Sequence, residues 1–159
     1  MARTVKVLFL AAEADPFIKV GGLGDVAGSL PGALNTLSRN LDVRLCIPLH
    51  RTLNVDAANL KPVASFFVMR GEERIPAQVF ETNHQKTTVY LIDGPAISSA
   101  QSVYSSDMAS DGEKYTFFSL AALELIRHLR WQPDIIHAND WHTSPAVYAL
   151  RQRESDHQY

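Results

Sequence analysis

The run Thr4-Val5-Lys6-Val7-Leu8-Phe9-Leu10-Ala11-Ala12 is β-branched and apolar without strict alternation. That is the pattern of a strand covered on both faces, as in a parallel sheet. Such a strand needs a crossover before the chain can pair with it again. Beyond Pro16 and the glycines Gly21, Gly22 and Gly24, the residues Leu23, Val26, Ala27, Leu30, Leu34 and Leu37 recur at helical spacing and supply one. Pro31 is expected to kink or interrupt this helix. Residues 42–49 read as a second strand, completing a strand–helix–strand unit whose crossover should be right-handed. The fold class is therefore α/β: a Rossmann-like parallel sheet flanked by helices.

The middle differs. Residues 62–70, 75–81 and 87–93 are strand-like with no helical pattern between them, and Gly71-Glu72-Glu73 separates the first two. A central β-hairpin or small meander inserted in the α/β frame is expected. From Gly94 to Ser110 the chain is rich in Ser, Ala and Asp, a loop of about seventeen residues, and loops of that length usually carry function or are disordered. Ser110-Asp111-Gly112-Glu113 has the spacing of a capping box. Phe118, Ala122, Leu125 and Leu129 then mark the buried face of a helix that runs to about residue 130 and ends before Pro133. Residues 134–138 read as a short buried strand, and a last helix runs from Ser144-Pro145 to about Glu154. The sequence has no internal repeat. It stops at Glu154 to Tyr159, where an α/β sheet normally continues to another strand, so residues 1–159 are read as one truncated domain.

Composition narrows the function. With 46% hydrophobic and 20% charged residues, 159 residues make one ordinary globular core. Fifteen Lys+Arg against seventeen Asp+Glu, a net charge of -2, leave no footprint for nucleic acid or an anionic membrane. The lone Cys46, in an apolar strand, excludes an internal disulfide and reads as a small core residue in a reducing compartment. The longest fully apolar run, Val7 to Ala12, is far short of the ~20 residues that span a bilayer. Arg3 and Lys6 before that run, with Ala12-Glu13-Ala14 after it, imitate a signal peptide, but a core strand explains the run better. A cytoplasmic protein is expected.

Two segments concentrate chemistry. Lys19-Val20-Gly21-Gly22-Leu23-Gly24-Asp25 joins the first strand to the first helix, at the sheet edge where open α/β folds bind ligands. Glycines admit a ligand to the backbone N–H groups, the helix start is positive and Lys19 adds a mobile cation, which together suit a diphosphate. The spacing is neither a dinucleotide fingerprint nor a Walker A loop, and a plain flexible turn with Lys19 in solvent is an equal reading. The second segment is His137-Ala138-Asn139-Asp140-Trp141-His142. Asp140 is placed to hold one tautomer of an imidazole, Trp141 to offer a flat face to a sugar, and His142 to donate to a hydroxyl. Competing readings are a metal site from His137, Asp140 and His142, a core histidine at His137 and a core tryptophan at Trp141. Glu13, directly after the first strand, either binds a hydroxyl or is solvated. Tyr104 and Asp107 lie in the long loop, and Arg127 to Arg130 read as a solvated helix face.

Ala12-Glu13-Ala14-Asp15-Pro16-Phe17-Ile18-Lys19-Val20-Gly21-Gly22-Leu23-Gly24-Asp25-Val26 resembles the amino-terminal signature of bacterial glycogen synthases and plant starch synthases. Tyr90-Leu91-Ile92-Asp93, Asp111-Gly112-Glu113-Lys114-Tyr115, Phe117-Phe118-Ser119 and residues 134–142 resemble further family blocks in the same order. The resemblance implies the amino-terminal half of a GT-B fold, in a retaining glucosyltransferase that moves glucose from ADP-glucose, or UDP-glucose, to the non-reducing end of an α-1,4-glucan. It assigns Lys19, Gly21 and Gly22 to the donor, Glu13, Tyr104 and Trp141 to the acceptor, and His142, Asp140 and Asp25 to catalysis. It also implies that the family's next block, a Val-His-Asn segment, and the carboxy-terminal nucleotide-binding domain lie outside this chain, which alone is expected to be inactive. No Asp-x-Asp motif occurs, so no metal and no cofactor beyond the nucleotide sugar is expected. The rivals are a non-catalytic sugar- or nucleotide-binding module and a glycoside hydrolase using Asp25 and Asp140 as paired carboxylates.

Overall fold

The computed structural model describes residues 3–156. Its strands are β1 (Val5–Leu10), β2 (Leu41–Pro48), β3 (Lys61–Arg70), β4 (Glu73–His84), β5 (Thr87–Asp93) and β6 (Ile135–Ala138). Its α-helices are α1 (Gly22–Leu37), α2 (Pro95–Ser98), α3 (Met108–His128) and α4 (Ser144–Asp156). The strands form one sheet in the order β3-β4-β5-β2-β1-β6. β1 pairs in parallel with β2 on one side and with β6 on the other, so it lies within the parallel half.

Side chains of β1 alternate between two cores. Leu8 and Leu10 pack with Phe118, Ala122 and Leu125 of α3, whereas Phe9 and Ala11 pack with Ala27 of α1. Cover on both faces explains the unalternating apolar run. Each such large side chain, fully buried, contributes roughly 1.5–3 kcal/mol. Gly28 lets α1 approach the turn after β1, since a Cβ there would lie 2.2 Å from the Asp15 carbonyl oxygen. The middle segments form the expected meander, and it continues the same sheet: β3/β4 and β4/β5 are antiparallel, and β5 returns parallel to β2. No helix among the described residues is long and apolar enough to cross a membrane.

Four local expectations are corrected. The first helix runs unbroken from Gly22 to Leu37 through Pro31, because Pro31 is buried with Ala27 and Gly32 in packing that outweighs one missing N–H. The long helix is capped at Asp107, three residues before Ser110: Asp107 accepts from the Ala109 N–H at 3.1 Å and the Ser110 hydroxyl at 2.5 Å. Glu113 does not reach back but meets Arg70 at 2.7 Å. The long loop is shortened from both ends by α2 and the first turn of α3. Finally, the strand over 134–138 is not buried: β6 is the outermost strand, Ile135 is 50% exposed, and His137 is exposed with its ring edge-on to Phe9 at 4.5 Å. The core-histidine reading of His137 fails for that reason.

The topology fixes where a site can lie. From β1 the chain crosses to β2 on one side, and β6 later fills the other. The segments leaving β1 and β6 therefore diverge at a topological switch point, where open α/β sheets bind ligands.

Candidate functional site

Glu13 stands just beyond β1 and is 1% exposed. Its carboxylate accepts from the Val20 N–H, from the Gly21 N–H at 3.1 and 3.2 Å to its two oxygens, and from the Tyr104 hydroxyl at 2.9 Å. Gly24 makes room for it, since a Cβ there would come within 3.1 Å of both Glu13 Oε2 and Lys19 Cγ. His50, beyond β2, steadies the same strand end: its Nε2 lies 2.9 Å from the Ala12 carbonyl oxygen, and burial holds its pKa down at about 4. Its imidazole is therefore neutral and donates from Nε2. Lys19 and Asp25 form an ion pair at 2.6 Å, both about half exposed, and the hydrogen bond from Lys19 to Asp25 raises the Lys19 pKa.

On the other side, Asn139 ties the segment after β6 to β1: its backbone N–H and its side-chain amide both donate to the Leu10 carbonyl, at 3.2 and 2.8 Å. Asp140 then adopts φ 62°, ψ 177°, a conformation that suits glycine and costs about 1–3 kcal/mol for other residues. Its carboxylate accepts from the Trp141 N–H at 2.6 Å and so caps the 3₁₀ turn Trp141–Thr143. This sharp reversal drives His142 inward and leaves Trp141 outside. His142 is 4% exposed, with its ring 4.1 Å from Trp141, 4.5 Å from Tyr115 and 4.8 Å from Tyr104 between centroids. Its Nδ1 is buried and has no hydrogen-bond partner among the described residues, and Asp140 Oδ2 is 3.7 Å away, beyond hydrogen-bond range. Burial lowers the His142 pKa, so the ring is neutral near pH 7.

Tyr104 is fixed from below by a buried ion pair. Lys114, 1% exposed, donates to the Val103 carbonyl at 2.6 Å, the Ser102 carbonyl at 3.1 Å and Asp111 Oδ1 at 2.8 Å. Asp111 Oδ2 accepts from the Ser105 N–H at 2.8 Å, and the Tyr115 hydroxyl donates to the Val103 carbonyl at 2.5 Å. Sequence reasoning assigned no role to Asp111, Lys114 or His50. The first two stand three apart on one helix face, a spacing that an ordinary surface pair shares.

These segments enclose an open cleft of about 410 Å³, lined by Glu13, Gly21, Gly22, Tyr104, Asp140, Trp141 and His142 together with Leu23, Ser105, Met108 and Asp111. Seven of the nine residues expected at a site thus share one wall system, and Trp141, 47% exposed, presents a face rather than filling a core. Lys19 and Asp25 are not among the cleft's lining residues, and Asp25 is paired with Lys19 instead. Among the described residues, no three His, Cys, Asp or Glu side chains converge in a way that would hold a metal ion. The arrangement suits a neutral, hydroxyl-rich ligand with flat apolar faces, bordered by a glycine loop whose Lys19 is paired with Asp25.

The chain is similar to known proteins in both sequence and fold. The family model described as the starch synthase catalytic domain matches residues 6–159. Glycogen synthase of Clostridium beijerinckii is 39% identical over 155 residues, which cover 96% of this chain and 32% of that protein. Glycogen synthase of Photobacterium profundum is 35% identical over 96% of this chain and 31% of its own length. The catalytic domain of starch synthase IV from Arabidopsis thaliana, bound to ADP and acarbose, matches with a TM-score of 0.73 and 26% identity over 97% of this chain and 32% of that one. The chain therefore spans about a third of the length of these relatives. By sequence and by fold, it belongs to the glycogen and starch synthase family, as a part of the catalytic domain.

Proposed function

We propose that this chain is the amino-terminal, acceptor-side part of a retaining GT-B glucosyltransferase that transfers glucose from ADP-glucose, or UDP-glucose, to the non-reducing end of an α-1,4-glucan. The observation that carries this reading is the cleft itself: an exposed Trp141 face and the Tyr104 ring flank a neutral His142 whose buried Nδ1 is unpaired among the described residues. A sugar brings apolar ring faces for the aromatics and hydroxyl groups for Asp140 and His142. The ADP and acarbose on the Arabidopsis relative support a nucleoside diphosphate and an oligosaccharide as the two ligand classes.

The start of α1 lines the cleft at Gly22 and Leu23, with Lys19 shortly before it in the chain, and a cation and a helix start stabilise the charge of a leaving diphosphate as the C1–O bond loosens. The protein's part is electrostatic and positional, with the acceptor hydroxyl as nucleophile. Of the two carboxylates that a glycoside hydrolase reading would pair, Asp140 lines the cleft, whereas Asp25 does not and is held by Lys19. The remainder of the family's catalytic domain is the chain's natural partner, and without it we expect binding and no turnover. The buried, unpaired Cys46 supports a reducing, cytoplasmic setting.

The test is an amide-shift titration of the 159-residue chain with maltotetraose and, separately, with ADP-glucose. Shifts at Tyr104 and Asp140 to His142 with the glucan, and weaker ones from Lys19 to Gly24 with the donor, are expected. Glucan shifts confined to residues outside the cleft, or glucose transfer by this chain alone, would overturn the reading.

A further inference from the structure

Backbone N–H groups of a glycine loop at a helix start are natural phosphate receptors. In this fold two of them already have an anion: Val20 and Gly21 both donate to Glu13. The carboxylate is buried, reaches the loop because Gly24 carries no Cβ, and is joined from the opposite wall by the Tyr104 hydroxyl at 2.9 Å. A residue that binds acceptor hydroxyls would present free oxygen to the cleft, whereas both oxygens of Glu13 are engaged with the protein itself.

We propose that Glu13 is a resident anion: it fills the amide nest of the glycine loop, locks the loop to Tyr104, and bars free phosphate and diphosphate from that nest. This inference rests on the reading of the loop as the donor side. A donor diphosphate is then left with Lys19 and the first N–H of α1 at Gly22, and must bind beside the like-charged Glu13, which holds the neighbouring Gly21 amide. The compensation is preorganisation, since a loop already ordered around an internal anion does not have to be ordered by the ligand. Glu13 is in this sense a positioning and selectivity residue, which couples the glucan wall to the donor loop.

Opposite signs on two ligands distinguish this role from its rivals. Removing a resident anion tightens binding of a free anion while it loosens the glucan wall, because Tyr104 loses its partner. A merely structural residue weakens both when removed, and a direct glucan contact leaves the anion unaffected. Calorimetric titrations with sodium pyrophosphate and with maltotetraose, on the 159-residue chain and on Glu13→Ala and Glu13→Gln, read this directly.

Glu13→Ala is expected to bind pyrophosphate at least about tenfold more tightly than the parent, with the Val20 and Gly21 amide resonances now moving on titration. Glu13→Gln, whose amide oxygen still accepts from the loop, is expected to gain only a few-fold. Both should lose maltotetraose affinity. Pyrophosphate affinity that is absent, unchanged or weaker in both variants would overturn the proposal, as would parent Val20 and Gly21 amides that move with pyrophosphate as far as Gly22 does. Should Glu13→Ala fail to fold, Glu13→Gln and the parent amide shifts decide alone. Failure of the acceptor reading shows separately, as absent maltotetraose binding by the parent chain.

Discussion

The two walls of the cleft are finished to different degrees. On the glycine-loop wall the charges are satisfied internally: Glu13 holds two backbone amides and Tyr104, and Lys19 holds Asp25. On the aromatic wall His142 keeps a buried Nδ1 without a partner among the described residues, and Trp141 leaves nearly half its surface open. The open apolar face of Trp141 makes the second wall the one with surface left to bury when a sugar arrives. The first wall is shaped in advance, and its ligand must compete with partners already in place.

The largest expected effect comes from the support beneath both walls. Lys114 carries Tyr104 through the Ser102 and Val103 carbonyls, and Tyr104 is the side chain that touches Glu13 on one wall and the His142 ring on the other. Lys114→Met leaves Asp111 charged and buried, and a loss of about 3–5 kcal/mol in urea unfolding is expected. Maltotetraose binding should fall with it. A loss under ~1 kcal/mol would show that the loop is held by Tyr115 and Asp107 without the ion pair.

A smaller effect separates the walls by pH. Burial depresses His50 from 6.5 to about 4, so the unfolded chain takes up a proton that the folded chain refuses. Stability contributed by this group is complete above about pH 6.5 and declines as pH falls through that value toward 4, by roughly 3 kcal/mol in all. Since Nε2 donates to the Ala12 carbonyl, the strand end that carries Glu13 is the part at stake. His50→Gln should flatten the difference in stability between pH 7 and pH 4, measured by denaturant titration at each pH. An unchanged slope would assign the acid sensitivity to other groups.

Elements dominated by periodicity were legible in the sequence, and features decided by a neighbour were not. The apolar run of β1 and the Phe118, Ala122, Leu125 stripe of α3 announce themselves because burial on a sheet or helix face is periodic. Whether Pro31 breaks a helix, or His137 enters the core, depends on what packs alongside, and the sequence alone does not show that β6 is an outer strand. Ser110 satisfies a capping pattern as well as Asp107 does, and only the start of the helix chooses between them. The site residues were found as two local clusters and by family resemblance. The bond that unites them, Tyr104 to Glu13, spans 91 positions and follows only from the fold.

Trp141→Ala tests the aromatic wall alone. The side chain is 47% exposed and packs on the His142 ring, so its removal should cost little stability and about tenfold in maltotetraose affinity, with pyrophosphate affinity unchanged. Equal loss of both ligands would mean that the two walls do not bind independently.

Lys19→Ala is the mirror experiment and the gentlest. The ammonium is solvent-exposed and its pair with Asp25 is a surface one, so the melting temperature should not move. Pyrophosphate and ADP-glucose should bind several-fold more weakly, while maltotetraose is unaffected, because Lys19 does not line the cleft. Asp25→Asn sharpens the point: freeing Lys19 from its partner should strengthen pyrophosphate binding, since the cation no longer has to leave one anion to meet another. If Asp25→Asn weakens pyrophosphate binding instead, the carboxylate orients Lys19 for the ligand rather than competing with it, and the glycine-loop wall is less self-satisfied than the Lys19–Asp25 ion pair implies.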